Sequence, residues 1–241
     1  MVDYLQQQFD RMAMPLNEQQ LQQFCTYYEM LTEKNKVMNL TAITEFHDVV
    51  IKHFVDSVLV LMTGYFPNDG IHVIDVGTGA GFPGIPLKIV CPSLKITLLD
   101  SLNKRVLFLK EVVSALALQD VECLHGRAED FGHDTAYREQ FDICVSRAVA
   151  NLSTLSEYCV PFVKVGGNFI SYKASEIDDE LVNAKNAVDK LQCQIKDVVK
   201  LNMEDVDGSI YERNFVIIAK EKQLHKRYPR KAGIPSRNPL L

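Results

Sequence analysis

The stretch Ile71–Pro86 reads I-H-V-I-D-V-G-T-G-A-G-F-P-G-I-P, a short apolar run that meets an acid and then a cluster of glycines. Ile71, Val73, Ile74 and Val76 form a β-branched run of strand length. The glycines at 77, 79, 81 and 84 allow a sharp turn and a close approach of the backbone to a ligand. The spacing predicts a buried strand feeding a ligand-binding turn, with a helix starting near Pro83, where the missing N–H would have no partner anyway.

Such turns serve several nucleotides, so the flanks decide between them. Asp75 stands inside the strand end, two residues before the first glycine. Asp100 closes the next apolar run, Lys95–Leu99, about twenty residues beyond the glycines, where an acid accepts hydrogen bonds from both ribose hydroxyls. Nicotinamide dinucleotide and S-adenosyl-L-methionine (SAM) sites both use that acid. The D-x-G-x-G-x-G form resembles motif I of the SAM-dependent methyltransferases, and the G-x-G-x-x-G at Gly79–Gly84 begins two residues late for a dinucleotide fold. Glycines serving only a tight turn remain the alternative.

Outward from this stretch, strands and helices alternate. Strands are predicted at Ile71–Val76, Lys95–Asp100, Val121–Leu124, Phe141–Val145 and Asn168–Tyr172, with helices up to about Val90 and over Asn103–Leu116, Leu152–Val163 and Ile177–Leu191. That alternation implies parallel strands joined by crossover helices. Ile195–Leu201 and Tyr211–Lys220 are separated by Asp205–Gly208, too short for a crossover, and should pair antiparallel. The expected fold is α/β, a doubly wound, mostly parallel, Rossmann-like class I SAM methyltransferase sheet with a terminal antiparallel hairpin and an N-terminal helical extension. In that extension Asn17 and Gln20 have capping-box spacing before the stripe Leu21, Phe24, Cys25, Tyr28, Leu31, and Thr44 is placed to cap a second helix running to Leu61. His53 and Asp56 read as a partly buried polar pair. Gly64–Gly70 is rich in turn formers and marks a boundary. The expected organisation is a helical extension over 1–66, a SAM-binding domain over 67–220 and a basic tail over 221–241.

With 241 residues, 47% hydrophobic and 24% charged, the chain has ordinary globular composition. No apolar run has the length of a membrane span, and Met1–Asp10 carries glutamines and acids where a basic, then apolar, leader would stand, which implies a cytoplasmic protein. Six cysteines without a C-x-x-C pair suggest neither a zinc site nor a disulfide framework, and no metal is expected. The net charge of -5 hides an asymmetry, because Lys220–Leu241 holds seven Lys or Arg against one Glu. Lys226, Arg227, Arg230, Lys231 and Arg237 then read as contacts to a polyanion, RNA ahead of membrane, adding to RNA affinity but not to cofactor affinity. A merely solvated or packed tail is the alternative.

Ligands of an open parallel sheet bind beyond the carboxyl ends of its strands. The first strand end offers Asp75, Gly77 and Gly79 to the methionine end of the cofactor, and the second offers Asp100 and Ser101 to the ribose. The third runs into Ala128, whose backbone N–H suits a ring nitrogen, and Glu129, which suits the adenine amino group. The fourth leads to Arg147, the candidate for meeting the target base. Neither N/D-P-P-Y nor an exposed cysteine nucleophile stands there, which points to a target atom nucleophilic without covalent activation.

The motifs N-K-V-M-N-L-T-A-I (Asn35–Ile43), D-V-G-T-G-A-G-F-P-G-I-P (Asp75–Pro86), L-L-D-S-L-N-K-R-V (Leu98–Val106), G-R-A-E-D (Gly126–Asp130), S-R-A-V-A (Ser146–Ala150) and Y-P-R-K-A-G-I-P (Tyr228–Pro235) together resemble the bacterial 16S ribosomal RNA guanine-N7 methyltransferases, also called glucose-inhibited division protein B. The resemblance covers nearly the whole chain. It implies that Gly77, Phe82, Ala128, Glu129 and Arg147 contact SAM, that the partner is 16S rRNA or the small ribosomal subunit, and that the target is N7 of a guanosine in the 530 loop. The chain departs from the family in having Lys34 where a Trp often stands. A non-enzymatic RNA-binding module and a nicotinamide oxidoreductase are the competing readings.

Overall fold

The computed structural model describes residues 1–67, 70–174 and 176–240, so positions 68 and 69 of the expected boundary turn lie outside the described residues. Two N-terminal helices, α1 (Val2–Arg11) and α2 (Glu18–Met38), are followed by a broken helical run: α3 (Phe46–Val49), a π-helical turn (Val50–Val55), α4 (Asp56–Val58) and a 3-10 turn (Leu59–Thr63). The remaining elements alternate: β1 (His72–Val76), α5 (Gly84–Val90), β2 (Lys95–Asp100), α6 (Asn103–Ala115), β3 (Val121–His125), α7 (Ala128–Phe131), β4 (Phe141–Ser146), α8 (Leu152–Cys159), β5 (Val163–Lys173) and α9 (Asp178–Lys190). The hairpin β6 (Cys193–Glu204) and β7 (Ile210–Lys220) and a short α10 (Ile234–Arg237) complete the chain.

The seven strands form one sheet in the order β3-β2-β1-β4-β5-β7-β6. All neighbours from β3 to β5 are parallel, and β7 inserts antiparallel between β5 and β6. The α/β class and the terminal hairpin are therefore as the alternation of elements implied. Strand order reverses between β1 and β4, which puts a crevice at the carboxyl end of β1, directly after the glycine turn.

Because side chains alternate along a strand, Val73 of β1 enters one apolar layer and Ile74 and Val76 the other. The first layer packs the N-terminal helices, α5 and α6 against the sheet through Phe9, Phe24, Phe54, Leu87 and Phe108. The second packs α8, α9 and the C-terminal segment through Leu155, Val188, Leu224 and Tyr228.

Two features go beyond the sequence expectation. Residues 1–66 are largely helical but share the first core with the sheet, and Tyr4 and Gln8 of α1 both hydrogen-bond Asp205 in the β6–β7 turn. The segment after Lys220 is likewise docked: Leu224, Tyr228 and Leu240 are buried in the second core. The Asn17–Gln20 capping box is present at α2. Thr44 does not cap the next helix, whose N-cap is Glu45. Lys34 forms an ion pair with Glu111 of α6 at 2.7 Å.

Candidate active site

A cleft of about 310 Å³ opens at the switch point, lined among others by Gly77, Asp100, Ser101, Ala128, Glu129 and Tyr158. It gathers the ends of β1, β2 and β3 and the Ala148–Ala150 stretch of the β4–α8 loop. A larger depression lies at the opposite, amino end of the strands, around His72, Thr97 and Glu122, where this topology places no ligand.

The glycine turn is braced by two carboxylates. Asp75 is fully buried, and its Oδ2 accepts hydrogen bonds from Thr78 Oγ1 at 2.7 Å and from Gly84 N at 2.8 Å. Its other oxygen, Oδ1, has no partner among the described residues. Burial pushes the Asp75 carboxyl up to about 7, against the lowering effect of its hydrogen bonds and of Arg147. Gly84 must be glycine, since a Cβ there would stand 2.2 Å from Leu98 Cδ2. Asp100 Oδ2 accepts from Gly79 N at 2.9 Å and Oδ1 from Leu102 N at 2.8 Å, so the acid expected at the ribose also ties the glycine turn to the end of β2.

Arg147 follows β4 and lies beside the cleft. Its Nη1 donates to Asp56 Oδ2 at 2.7 Å and to Lys52 O at 3.0 Å, its Nη2 lies 3.1 Å from His53 Nδ1, and its guanidinium sits 5.1 Å from the Phe82 ring centre. At least three of its five N–H donors are thus spent on the protein, leaving at most two for a ligand. Asp56 is fully buried and also receives Arg213 Nε at 2.5 Å. His53 stacks on Phe82 at 4.5 Å, and its Nε2 lies 2.9 Å from Thr41 Oγ1. Burial, and then the Arg147 charge, pushes His53 down to about 3, so the ring is neutral at ordinary pH with Nδ1 accepting from Arg147. His53 stands in the π-helical turn and Asp56 opens α4 directly after it, so both partners of Arg147 come from the break in this helical run.

The expected site residues therefore separate into three groups. Gly77, Asp100, Ser101, Ala128 and Glu129 line one cleft. Asp75 and Gly79 shape the turn beneath it, and Phe82, 6% exposed, belongs to an aromatic cluster with Tyr27, His53 and Phe54 rather than to the cleft lining. Arg147 lines a second depression of about 490 Å³, with Asn151, Lys173 and Arg213, across the Ala148–Ala150 wall.

The tail cations separate as well. Lys226, Arg227, Lys231 and Arg237 are exposed. Arg230 is not the free cation expected from charge alone: its backbone N, Nε and Nη2 all donate to the buried Glu157, the shortest bond being 2.6 Å. Glu129 Oε1 accepts from Gly233 N at 2.8 Å, so the tail reaches a residue that lines the switch-point cleft and is packed there, as the alternative reading of the tail has it. Sequence reasoning misses Arg213, Lys173 and Tyr158, because they lie within strands and a helix with no motif around them. The E-R pair inside the apolar β7, Glu212 and Arg213, is the one available signal.

The model of the family described as rRNA small subunit methyltransferase G (GidB) matches residues 20–213. Proteins named ribosomal RNA small subunit methyltransferase G are similar over nearly their full length: that of Clostridium botulinum is 44% identical over 236 residues (98% of this chain, 97% of the relative). That of Alkaliphilus metalliredigens is 49% identical over 227 residues (93% and 92%). Among solved structures, M. jannaschii TYW2 in complex with AdoMet aligns with a TM-score of 0.52 at 14% identity, covering 68% of this chain and 76% of that one. P. horikoshii TYW2 in complex with MeSAdo aligns with a TM-score of 0.54 at 11% identity, covering 70% and 63%. At such identities the structural likeness speaks for the fold alone.

Proposed function

Since the chain belongs to the rRNA small subunit methyltransferase G (GidB) family, we propose that it transfers the methyl group of SAM to a base of small-subunit ribosomal RNA. The observation that carries this reading beyond the family is the cleft that gathers Asp100 and Glu129, from successive strand ends, around Gly77. The donor set fits SAM. Asp100 and Ser101 suit ribose hydroxyls, Ala128 opens a helix whose first amides lack internal partners, and the orphaned Asp75 Oδ1 provides a buried acceptor beneath the turn. Among the described residues no helix is long and apolar enough to cross a membrane.

The finer reading, carried by resemblance, is N7 of a guanosine in the 530 loop of 16S rRNA. SAM, when bound, supplies a methyl group on an already activated sulfonium. Guanine N7 offers an in-plane lone pair and no proton, so the protein needs only to hold the base in line and exclude water. His53, neutral and committed to Arg147 and Thr41, orients Arg147 without accepting a proton. Arg147, Asn151, Lys173 and Arg213 line the depression from which a base or its phosphate would approach. The test is mass spectrometry of rRNA nucleosides after incubating purified protein with SAM and undermethylated 30S particles. 7-Methylguanosine is expected; unmethylated RNA with SAM bound would favour the non-enzymatic RNA-binding module.

A further inference from the structure

The C-terminal segment lies as a strap across two walls of the cofactor cleft. On one wall, Gly233 N donates to Glu129 Oε1 at 2.8 Å, and Glu129 is 5% exposed at the start of α7. On the other wall, α8 contributes Leu155 and Tyr158 to the cleft and also anchors the strap, through Glu157 to Arg230 and through Thr154 Oγ1 to Pro235 O at 3.1 Å. Arg138 adds bonds to the carbonyl oxygens of Leu224 at 3.0 Å and Tyr228 at 2.8 Å. Gly233 adopts φ 79°, left-handed backbone that an L side chain would strain, and in that conformation its N–H meets Glu129. The chain thus positions a backbone donor against the carboxylate best suited to an adenine amino group.

We propose that the Gly233 N–H is a specificity-determining donor, which pins Glu129 Oε1 and so presents the second carboxylate oxygen to the 6-position of the cofactor's purine. The inference rests on the methyltransferase reading and deepens it. A carboxylate accepts only, so a purine carrying a 6-amino donor is welcomed and one carrying a 6-oxo acceptor is repelled. What the strap adds is orientation. With Oε1 held by the amide, the side chain of Glu129 cannot rotate, and the acceptor stands where the purine edge arrives. The strap also explains why the Y-P-R-K-A-G-I-P stretch contains a glycine beside its cations: Lys231 and Arg237 face solvent, while the amide of Gly233 faces the cleft wall.

The full-length protein and two variants, Glu129→Gln and Glu129→Gln combined with Gly233→Pro, are titrated by calorimetry with S-adenosylhomocysteine and S-inosylhomocysteine. Wild type should prefer the adenine form by about 10- to 100-fold, the range for a hydrogen bond to a charged group. In the isosteric Glu129→Gln variant the Gly233 N–H claims the amide oxygen and turns the NH₂ toward the purine. The 6-oxo group then gains a donor and the 6-amino group loses its acceptor, so the adenine preference should fall by about tenfold or more, while the N1–H of hypoxanthine, facing the Ala128 N–H placed for a ring nitrogen, opposes full inversion. Proline at 233 has no N–H, so the amide is free to turn its oxygen toward the 6-amino group and about threefold or more of the adenine preference should return. Proline also fixes φ at about −65°, whereas Gly233 has 79°; should that release the strap, as read by limited proteolysis of the C-terminal segment, the single variant alone decides. A Glu129→Gln protein that keeps the wild-type preference would overturn the inference, as would wild type that does not discriminate. Wild type that binds neither ligand would instead remove the methyltransferase reading on which the inference rests.

Discussion

Asp56 Oδ2 lies 2.7 Å from Arg147 Nη1, while the other oxygen of the same buried carboxylate holds Arg213 Nε. The pair joins a broken N-terminal helix to the end of β4 and to β7, three segments far apart in sequence. Removing one member of a buried ion pair leaves the other charge unpaired. Asp56→Ala should therefore lower stability by about 3 kcal/mol in urea denaturation and depress methyl transfer, because Arg147 loses its fixed orientation. SAM affinity should stay within about twofold, since Asp56 does not line the cleft proposed to hold the cofactor. A large loss of SAM binding would show that the two depressions act as one site.

Asp100→Ala should weaken SAM binding by about 1.5 to 3 kcal/mol, because hydrogen bonds to a charged acceptor disappear. The same change orphans the amides of Gly79 and Leu102, so a fall in melting temperature should accompany it. Calorimetry at one pH, alongside thermal melts, separates the two effects. Unchanged affinity would place the ribose elsewhere.

Asp75 should make stability fall as pH rises. Its carboxyl is pushed by burial to about 7 in the folded chain, against 3.8 for a free aspartate. Between those values the folded state keeps a proton that the unfolded state has released, so the Asp75 contribution is greatest at low pH and is lost as pH rises through about 7. Asp75→Asn, always neutral and still able to accept from Gly84 N and Thr78, should gain on wild type by on the order of 2 kcal/mol between about pH 5 and 8. Denaturation curves that shift equally for both proteins between those two pH values would contradict it.

Single-turnover methylation at saturating RNA and SAM should be flat from about pH 6 to 9. His53, pushed down to about 3, does not titrate in that window, and Asp75, which at about 7 does, is buried beneath the glycine turn and lines neither depression. A tenfold fall per pH unit on the acid side, with binding intact, would require a general base and would move the target from a ring nitrogen to an amine.

Replacing Lys226, Arg227 and Lys231 by Gln should reduce the slope of log affinity for RNA against log salt by roughly 0.7 to 0.9 for each phosphate that is no longer neutralised, with Arg237 left in place because its Nε donates to Gly233 O at 3.0 Å. Cofactor affinity and melting temperature should hold, because these side chains are exposed. Truncation after Glu221 is a different experiment: it removes the buried Leu224, Tyr228 and Leu240 and the amide that holds Glu129, and both stability and SAM binding should suffer. An unaltered salt slope in the Gln variant would make the strap a packing element only.

The α/β alternation, the glycine turn, Asp100 at the end of β2 and the antiparallel hairpin are all legible in the amino-acid sequence. Each is written in local terms: a hydrophobic period, a residue with no Cβ, or a connection too short for a helix. The Asn17–Gln20 cap is legible for the same reason. What lies beyond the sequence depends on the meeting of distant segments. Arg230 carries the same charge as Lys231, yet only folding brings Glu157 against it, and Phe82 follows the glycines in sequence but turns into a cluster built by residues 27, 53 and 54. Composition likewise marks the tail as a basic appendage, because charge is countable while docking is not. The amide of Gly233 reaches Glu129 across 104 residues, and only the packing of Tyr228, Pro235 and Leu240 determines that it does.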